Sequence, residues 1–295
     1  MNTVRDIGFI GLGHMGSALA ESLIDTKLQL HVYDPLSSAT EAFARLGAQV
    51  HGSPRAVADA ATIVFACLPT QKASMDVACG RDGVIHGAKI RIYVETSTLG
   101  TEVIKNISAS LAEHHIATLD SPITGGPARA RAGTLALMVS GPAQSIEEAR
   151  PTLKRLARDV YVMGDQVGMA QLMKLINNVL LGTNMIAAAE GLTLGAKAGL
   201  SPAAILQVLR NGTGASTAGC DILGQEILSG AFDFGAAVSI LDKDLRAGLH
   251  EAGLLDVRMP VINQAGDVWH RASTSGRAND DFTTIIKMIQ EENGV

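Results

Sequence analysis

Aromatic residues are scarce in this chain of 295, at 3%. Its cores must therefore be built mainly from Ala, Val, Leu and Ile, and a hydrophobic content of 47% is ample for that. Cysteine is scarcer still, since Cys67, Cys79 and Cys220 are odd in number, far apart and without a Cys-x-x-Cys pair. A disulfide framework and a thiolate zinc site are thereby excluded, and a reducing compartment is expected. No basic run occurs and the net charge is -5, the wrong sign for a partner made of phosphates, so no nucleic acid is expected. No targeting segment is evident, because the first six residues run straight into a strand pattern and carry charges of both signs. The charge-free stretch 175–189 holds Asn177, Asn178, Thr183 and Asn184, and falls short of the ~20 apolar residues of a membrane span. These absences describe a soluble, cytoplasmic protein with no membrane partner and, by its length, about two domains.

What is present divides into two grammars. Residues 5–163 alternate short apolar runs (6–10, 28–34, 62–68, 90–95, 116–120, 135–140 and 160–163) with amphipathic stretches such as 15–25, 101–114 and 146–156. Val/Ile/Leu runs with little polar alternation are the mark of parallel strands buried on both faces, and strand–helix alternation predicts a parallel α/β sheet. From Gly164 onward only helical patterns occur. The first, 169–198, is apolar on most sides, which predicts burial between domains or subunits. Helical periodicity continues to Ile289, with breaks near 212–219 and 273–279. The expectation is an α/β domain over residues 1–164 and an all-helical domain over 165–295, joined by the long helix.

Gly11-Leu12-Gly13-His14-Met15-Gly16 follows the first strand and opens a helix. Gly11 permits the tight turn, Gly13 lets a pyrophosphate approach the backbone, and Gly16 allows close packing of helix on strand. Asp34 ends the second strand, where a carboxylate accepts hydrogen bonds from ribose hydroxyls and repels a 2′-phosphate. No Lys or Arg lies between Gly16 and Lys27 or between Asp34 and Ala44, so NAD is favoured over NADP. The ends of two further strands, Cys67-Leu68-Pro69 and Glu95-Thr96-Ser97-Thr98, point to the same crevice.

Lys174 lies among Leu172, Met173, Leu175 and Ile176. A lysine accepts a proton near neutrality only when its ammonium is destabilised, as an apolar helix would do. Asn178, four positions on, shares its face. Thr124-Gly125-Gly126 offers closely spaced amides that can nest a carboxylate. His114-His115 are neighbours on a helix, point about 100° apart and have no acidic companions, so no metal is expected.

With these residues assembled, the chain resembles the β-hydroxyacid dehydrogenase family, typified by 3-hydroxyisobutyrate dehydrogenase and tartronate semialdehyde reductase. The likeness spans nearly the whole length. It rests on the glycine motif, Leu68-Pro69, Ser97-Thr98, Asp120-Ser121-Pro122-Ile123-Thr124-Gly125-Gly126-Pro127 and Ala132-Gly133-Thr134-Leu135, together with Lys174-Leu175-Ile176-Asn177-Asn178 and Lys243-Asp244-Leu245. It implies a Rossmann domain, a long interdomain helix and a helical domain that makes the contacts of a homodimer or homotetramer. It further implies that Lys174 is catalytic with Asn178 as partner, and that Ser121, Thr124, Gly125 and Gly126 hold the acid substrate. Leu12, His14, Met15, Leu68, Pro69 and Thr98 would touch the dinucleotide beside the glycines and Asp34, and Lys243 would close over it. The family commonly has Ser where Thr124 stands and Ala where Ser121 stands, and the segment 212–220 is unusually small and polar. Those departures concern the substrate rather than the reaction.

The expected activity is hydride transfer between NAD and a short 3-hydroxy acid. An imine reductase on the same fold is one alternative, disfavoured by Lys174. A non-catalytic nucleotide-binding module is another, disfavoured by Lys174 and the acidic balance. A short-chain dehydrogenase would need a Tyr-x-x-x-Lys pair, which Tyr33, Tyr93 and Tyr161 do not form.

Overall fold

A computed structural model describes residues 5–25 and 27–295. The reading that no targeting segment opens the chain rests partly on residues 1–4, outside the described residues. Two compact units divide the chain, one through Lys174 and one from Leu175.

The first unit is an α/β sheet. In chain order it comprises β1 (Arg5–Ile10), α1 (His14–Glu21), β2 (Leu28–Tyr33), α2 (Ser37–Arg45), β3 (Gln49–Val50), α3 (Pro54–Ala60) and β4 (Ile63–Ala66). There follow α4 (Gln71–Cys79), β5 (Ile92–Glu95), α5 (Thr101–Ala112), β6 (Ala117–Asp120) and β7 (Ile123–Thr124). The unit continues with α6 (Gly126–Arg131), β8 (Ala136–Ser140), α7 (Ala143–Leu156) and β9 (Asp159–Gly164). The strand order is β3-β2-β1-β4-β5-β6-β8-β7, with β9 beside β8. The order reverses between β1 and β4, and the glycine turn sits at that switch point, where open α/β sheets take ligands.

Side-chain alternation explains the two covered faces. Ile7, Phe9, Ile63, Phe65, Ile92 and Val94 enter one core. Their neighbours Ile10, Val64, Ala66 and Tyr93 enter the other. The sheet is not wholly parallel as expected, for β8 runs antiparallel to β6 and β7. The connection from Thr124 to Ala136 is shorter than the dozen or so residues of a usual parallel crossover. β9, reached through α7, is again parallel to its neighbour β8.

α8 (Met169–Lys197) begins in the first unit and continues into the second. The second unit then contains α9 (Pro202–Asn211), α10 (Gly224–Ser229), α11 (Val238–Leu254), α12 (Pro260–Ala272) and α13 (Ile285–Glu292). The two breaks read from the sequence coincide in part with a π-helical stretch, Thr217–Leu223, and with a kink at Ser273–Arg277, where Ser275 and Gly276 leave helical dihedrals. Trp269 and Phe282 sit in its core beside Val179, Met185, Ile186 and Leu192.

One expectation for α8 needs correction. By length and composition it is apolar enough to cross a membrane, because the helix extends well beyond the charge-free stretch that was counted. Its inward residues nevertheless pack as those of a core helix do. Met169, Met173, Ile176, Leu180 and Leu194 are exposed along it in the single chain, which does not bear on the expected burial between subunits. Apolar residues on every side do not by themselves settle which side a single chain covers.

Candidate active site

The glycine turn after β1 is wound tightly. Gly11 has φ +90°, and a Cβ there would stand 2.3 Å from the Cys67 carbonyl oxygen. A Cβ on Gly16 would meet the Gly11 carbonyl oxygen at 2.0 Å, so its absence lets α1 start directly above the turn. Around Gly13, by contrast, nothing lies within 4 Å of the added carbon. The N-cap of α1 is Gly13, which provides no side-chain cap and so leaves the first amides of the helix for an anion. A turn closed at Gly11 and Gly16 and open at Gly13 fits a dinucleotide pyrophosphate.

Asp34 is half-buried. One carboxylate oxygen accepts from the Leu12 amide at 2.7 Å and the other from the Leu36 amide at 2.8 Å. The acid thus organises the loop as well as ending the strand, and each oxygen keeps a lone pair for a further donor. His14 is exposed and Met15 half-buried at the start of α1. Burial first of all pushes the Cys67 thiol up to about 11, which removes it as a nucleophile.

The neighbouring strand ends are tied together by buried polar groups. Leu68 N donates to Ser97 Oγ at 2.7 Å, holding the Leu68-Pro69 loop against the end of β5. Glu95, fully buried, accepts from Tyr93 Oη at 2.8 Å and from Ser97 N at 3.0 Å. Burial holds its carboxyl above the usual range, against the pull of these hydrogen bonds. Asp120, at the end of β6, is likewise fully buried, and burial raises its carboxyl too. Its donors are Ser140 Oγ, Gly168 N, Gln171 N and Gln171 Nε2, at 2.9–3.1 Å.

The loop after Asp120 holds the residues expected to take a carboxylate. Thr124 ends β7 half-exposed, and Gly125 and Gly126 follow with φ +129° and +77°. Ser121 is fully buried and its Oγ finds no hydrogen-bond partner among the described residues. Lys174 is half-buried on α8, one turn after Gln171.

In the second unit Asn178 is 6% exposed and donates to Asp244 Oδ2 at 2.6 Å, while its own Oδ1 accepts from Asn177 Nδ2. Lys243 Nζ stands 3.2 Å from Asp244 Oδ1. Asp244 thereby brings Asn178 and Lys243 together. The sequence reading quoted Asp244 but gave it no role, and it passed over Gln171 altogether. The available signal was an isolated polar residue in an apolar helix, on the face of Lys174 and one turn before it.

A family model described as the NAD binding domain of 6-phosphogluconate dehydrogenase matches residues 6–164. A second, described as NAD-binding of NADP-dependent 3-hydroxyisobutyrate dehydrogenase, matches residues 168–289. The chain belongs to the β-hydroxyacid dehydrogenase family. It is accordingly an oxidoreductase acting on CH–OH groups with a nicotinamide dinucleotide. The 2-(hydroxymethyl)glutarate dehydrogenase of Eubacterium barkeri is 31% identical to it, over 98% of this chain and 96% of that one. The NAD-dependent L-serine dehydrogenase of Pseudomonas aeruginosa is 30% identical, over 99% and 100%. Among solved structures, the 3-hydroxyisobutyrate dehydrogenase of Mycobacterium tuberculosis with L-serine superposes with a TM-score of 0.87 at 26% identity, over 98% and 100%. For this β-hydroxyacid dehydrogenase the glycine turn, the strand ends and the first turn of α8 therefore form the candidate active site of the first unit.

Proposed function

We propose that this dehydrogenase oxidises short 3-hydroxy acids, of the size of 3-hydroxyisobutyrate, glycerate or serine, with NAD and with Lys174 as general acid/base. One observation carries the reading. Lys174 stands one turn after Gln171, whose side chain is hydrogen-bonded at the carboxyl ends of β5 and β6, the edge where open α/β sheets work on their ligands.

The bound nicotinamide supplies the hydride acceptor that no side chain offers. Lys174 Nζ takes the hydroxyl proton as the C–H bond breaks, and returns it in the reductive direction. Asn178, on the same face of α8, adds hydrogen bonding without charge. The amides of Gly125 and Gly126 and the Thr124 hydroxyl hold the substrate carboxylate, each such bond being worth roughly 1.5–3 kcal/mol. Asp34, already oriented by Leu12 N and Leu36 N, faces the ribose hydroxyls and favours NAD. The exposed apolar residues of α8 support a homodimer or homotetramer, and three free cysteines support a reducing cytoplasm.

The test is a panel of 3-hydroxy acids assayed with NAD and NADP on wild type and Lys174→Ala. Loss of about 10²–10⁴ in kcat, with the Kd for NAD unchanged, is expected of a missing general base. A Lys174→Ala enzyme with more than half of wild-type turnover would remove the lysine from the mechanism. A higher kcat/KM with NADP would overturn the assignment of Asp34.

A further inference from the structure

We propose that Asp120 and Gln171 form a clasp that positions Lys174, so that one buried hydrogen-bond network sets the catalytic lysine against the strand ends. This inference rests on the assignment of Lys174 as the proton acceptor.

A helix begins with unsatisfied amides, usually capped by a side chain of its own first residues. α8 solves this from elsewhere in the unit. Asp120 Oδ2, at the end of β6, accepts from Gly168 N at 3.1 Å and Gln171 N at 2.9 Å. Ser140 Oγ, at the end of β8, accepts from Ala170 N at 3.0 Å and donates to the same Asp120 oxygen at 3.1 Å. The first turn of α8 is thereby pinned to two strand ends at once.

Gln171 adds a third. Its Nε2 donates to Ser97 O and to Asp120 Oδ1, each at 2.9 Å. Its Oε1 accepts from Leu99 N at 2.8 Å and Gly100 N at 3.1 Å. A carboxamide has two donors and two lone pairs, and here all four are used. The side chain cannot flip or slide without leaving a buried group unpaired, and it is fully buried. Apolar packing has no such directionality and would tolerate rotation of the helix.

The partners are not arbitrary stretches of chain. Ser97–Gly100 includes Thr98, on the dinucleotide side, and Asp120 immediately precedes the Ser121–Gly126 loop assigned to the substrate carboxylate. Lys174 lies three residues beyond Gln171, on the same side of α8. The clasp thus relates three things that must agree for hydride and proton to leave together. Displacement of a reacting group by about 1 Å can cost on the order of 10² in rate.

The experiment is a double-mutant cycle on the whole enzyme, with saturating NAD and the hydroxy acid of highest kcat/KM in the panel. Gln171→Met keeps the side-chain length and removes every hydrogen bond of the amide. It is expected to lower kcat about 10–100-fold, with little change in KM or in the Kd for NAD. Added to Lys174→Ala it is expected to lower kcat no further, because the clasp acts through the lysine. An equal fractional loss in both backgrounds would show a merely structural network and overturn the proposal, as would an unchanged kcat in Gln171→Met. Should Gln171→Met fail to fold, Ser140→Ala enters the same cycle. It removes one cap and one donor to Asp120, and a loss of about 3–10-fold confined to the Lys174 background is expected. If Lys174→Ala is itself active, the proposed function fails. If it is inactive while the clasp variants match wild type, only the clasp fails.

Discussion

The two units treat buried carboxylates in opposite ways. In the first, Glu95 and Asp120 are fully buried and take their hydrogen bonds from hydroxyls and amides, with no ion pair among the described residues. In the second, Asp242 and Asp244 are each 2% exposed and each has a cation at hand. Arg246 lies 3.2 Å from Asp242 Oδ2, with the neighbouring ring nitrogen of His270 at 3.5 Å, and Lys243 lies 3.2 Å from Asp244 Oδ1. Both Oδ1 atoms nonetheless lack a hydrogen-bond partner among the described residues, so the Lys243 contact is a charge pairing rather than a directed bond. α8 touches one carboxylate of each kind, through Gln171 and through Asn178. Neutral donors fixed by backbone give Asp120 a single geometry, whereas long exposed cations leave Asp242 and Asp244 room to exchange partners. Rigid placement belongs to the end of α8 that carries Lys174.

The largest effect expected from this contrast is that of Asp120→Asn. A carboxamide must turn a donor toward groups that already donate, at a cost of about 1–3 kcal/mol for each buried mismatch. A lowered calorimetric transition would be seen, and an unchanged one would mean that Asp120 is not the cap of α8. Asn178→Ala comes next. It deprives Asp244 of one charge-assisted bond, worth about 1.5–3 kcal/mol, and is expected to destabilise less than Asp120→Asn because Lys243 remains nearby. Equal losses would erase the distinction between the two carboxylates.

Glu95→Gln sharpens the comparison through pH. Burial raises the folded-state carboxyl above 4.5, so its stabilising contribution is complete below that value and is lost as pH rises through the folded pKa. Gln does not ionise. The melting temperature of the variant relative to wild type should therefore increase as pH rises from the ordinary Glu range upward, and a pH-independent difference would contradict it. Lys243→Met is the smallest. With an exposed partner the pair is expected to contribute at most about 1 kcal/mol to stability, so a larger fall in melting temperature would show that Asp244 depends on it. The role that the family resemblance gives Lys243 would show instead in a weaker Kd for NAD.

Much of this molecule was legible beforehand. Each of the seven apolar runs became a strand, six of them mostly buried as runs of Val, Ile and Leu in a covered sheet are, while the seventh, β9, is a partly exposed edge. The two-residue β3 and β7 were missed, since nothing in so short a segment distinguishes it from loop. The glycine turn was legible because each glycine answers a local steric demand. The direction of β8, set by how the chain returns after β7, was not. Nor was the exposed side of α8, whose composition is apolar all round.

The glycine motif and Asp34 could be picked out from local spacing, and Lys174 and Asn178 from helical periodicity together with the family resemblance, since such signals act within a few residues. The roles of Asp120 and Gln171 could not. These two are 51 positions apart, and only the folding of β6 and α8 against one another brings donor to acceptor. Which polar residue is left exposed and which is buried and saturated depends on distances that no short stretch of sequence contains. Residue types determined the chemistry this protein can perform, and tertiary packing decided which of them are held rigid enough to perform it.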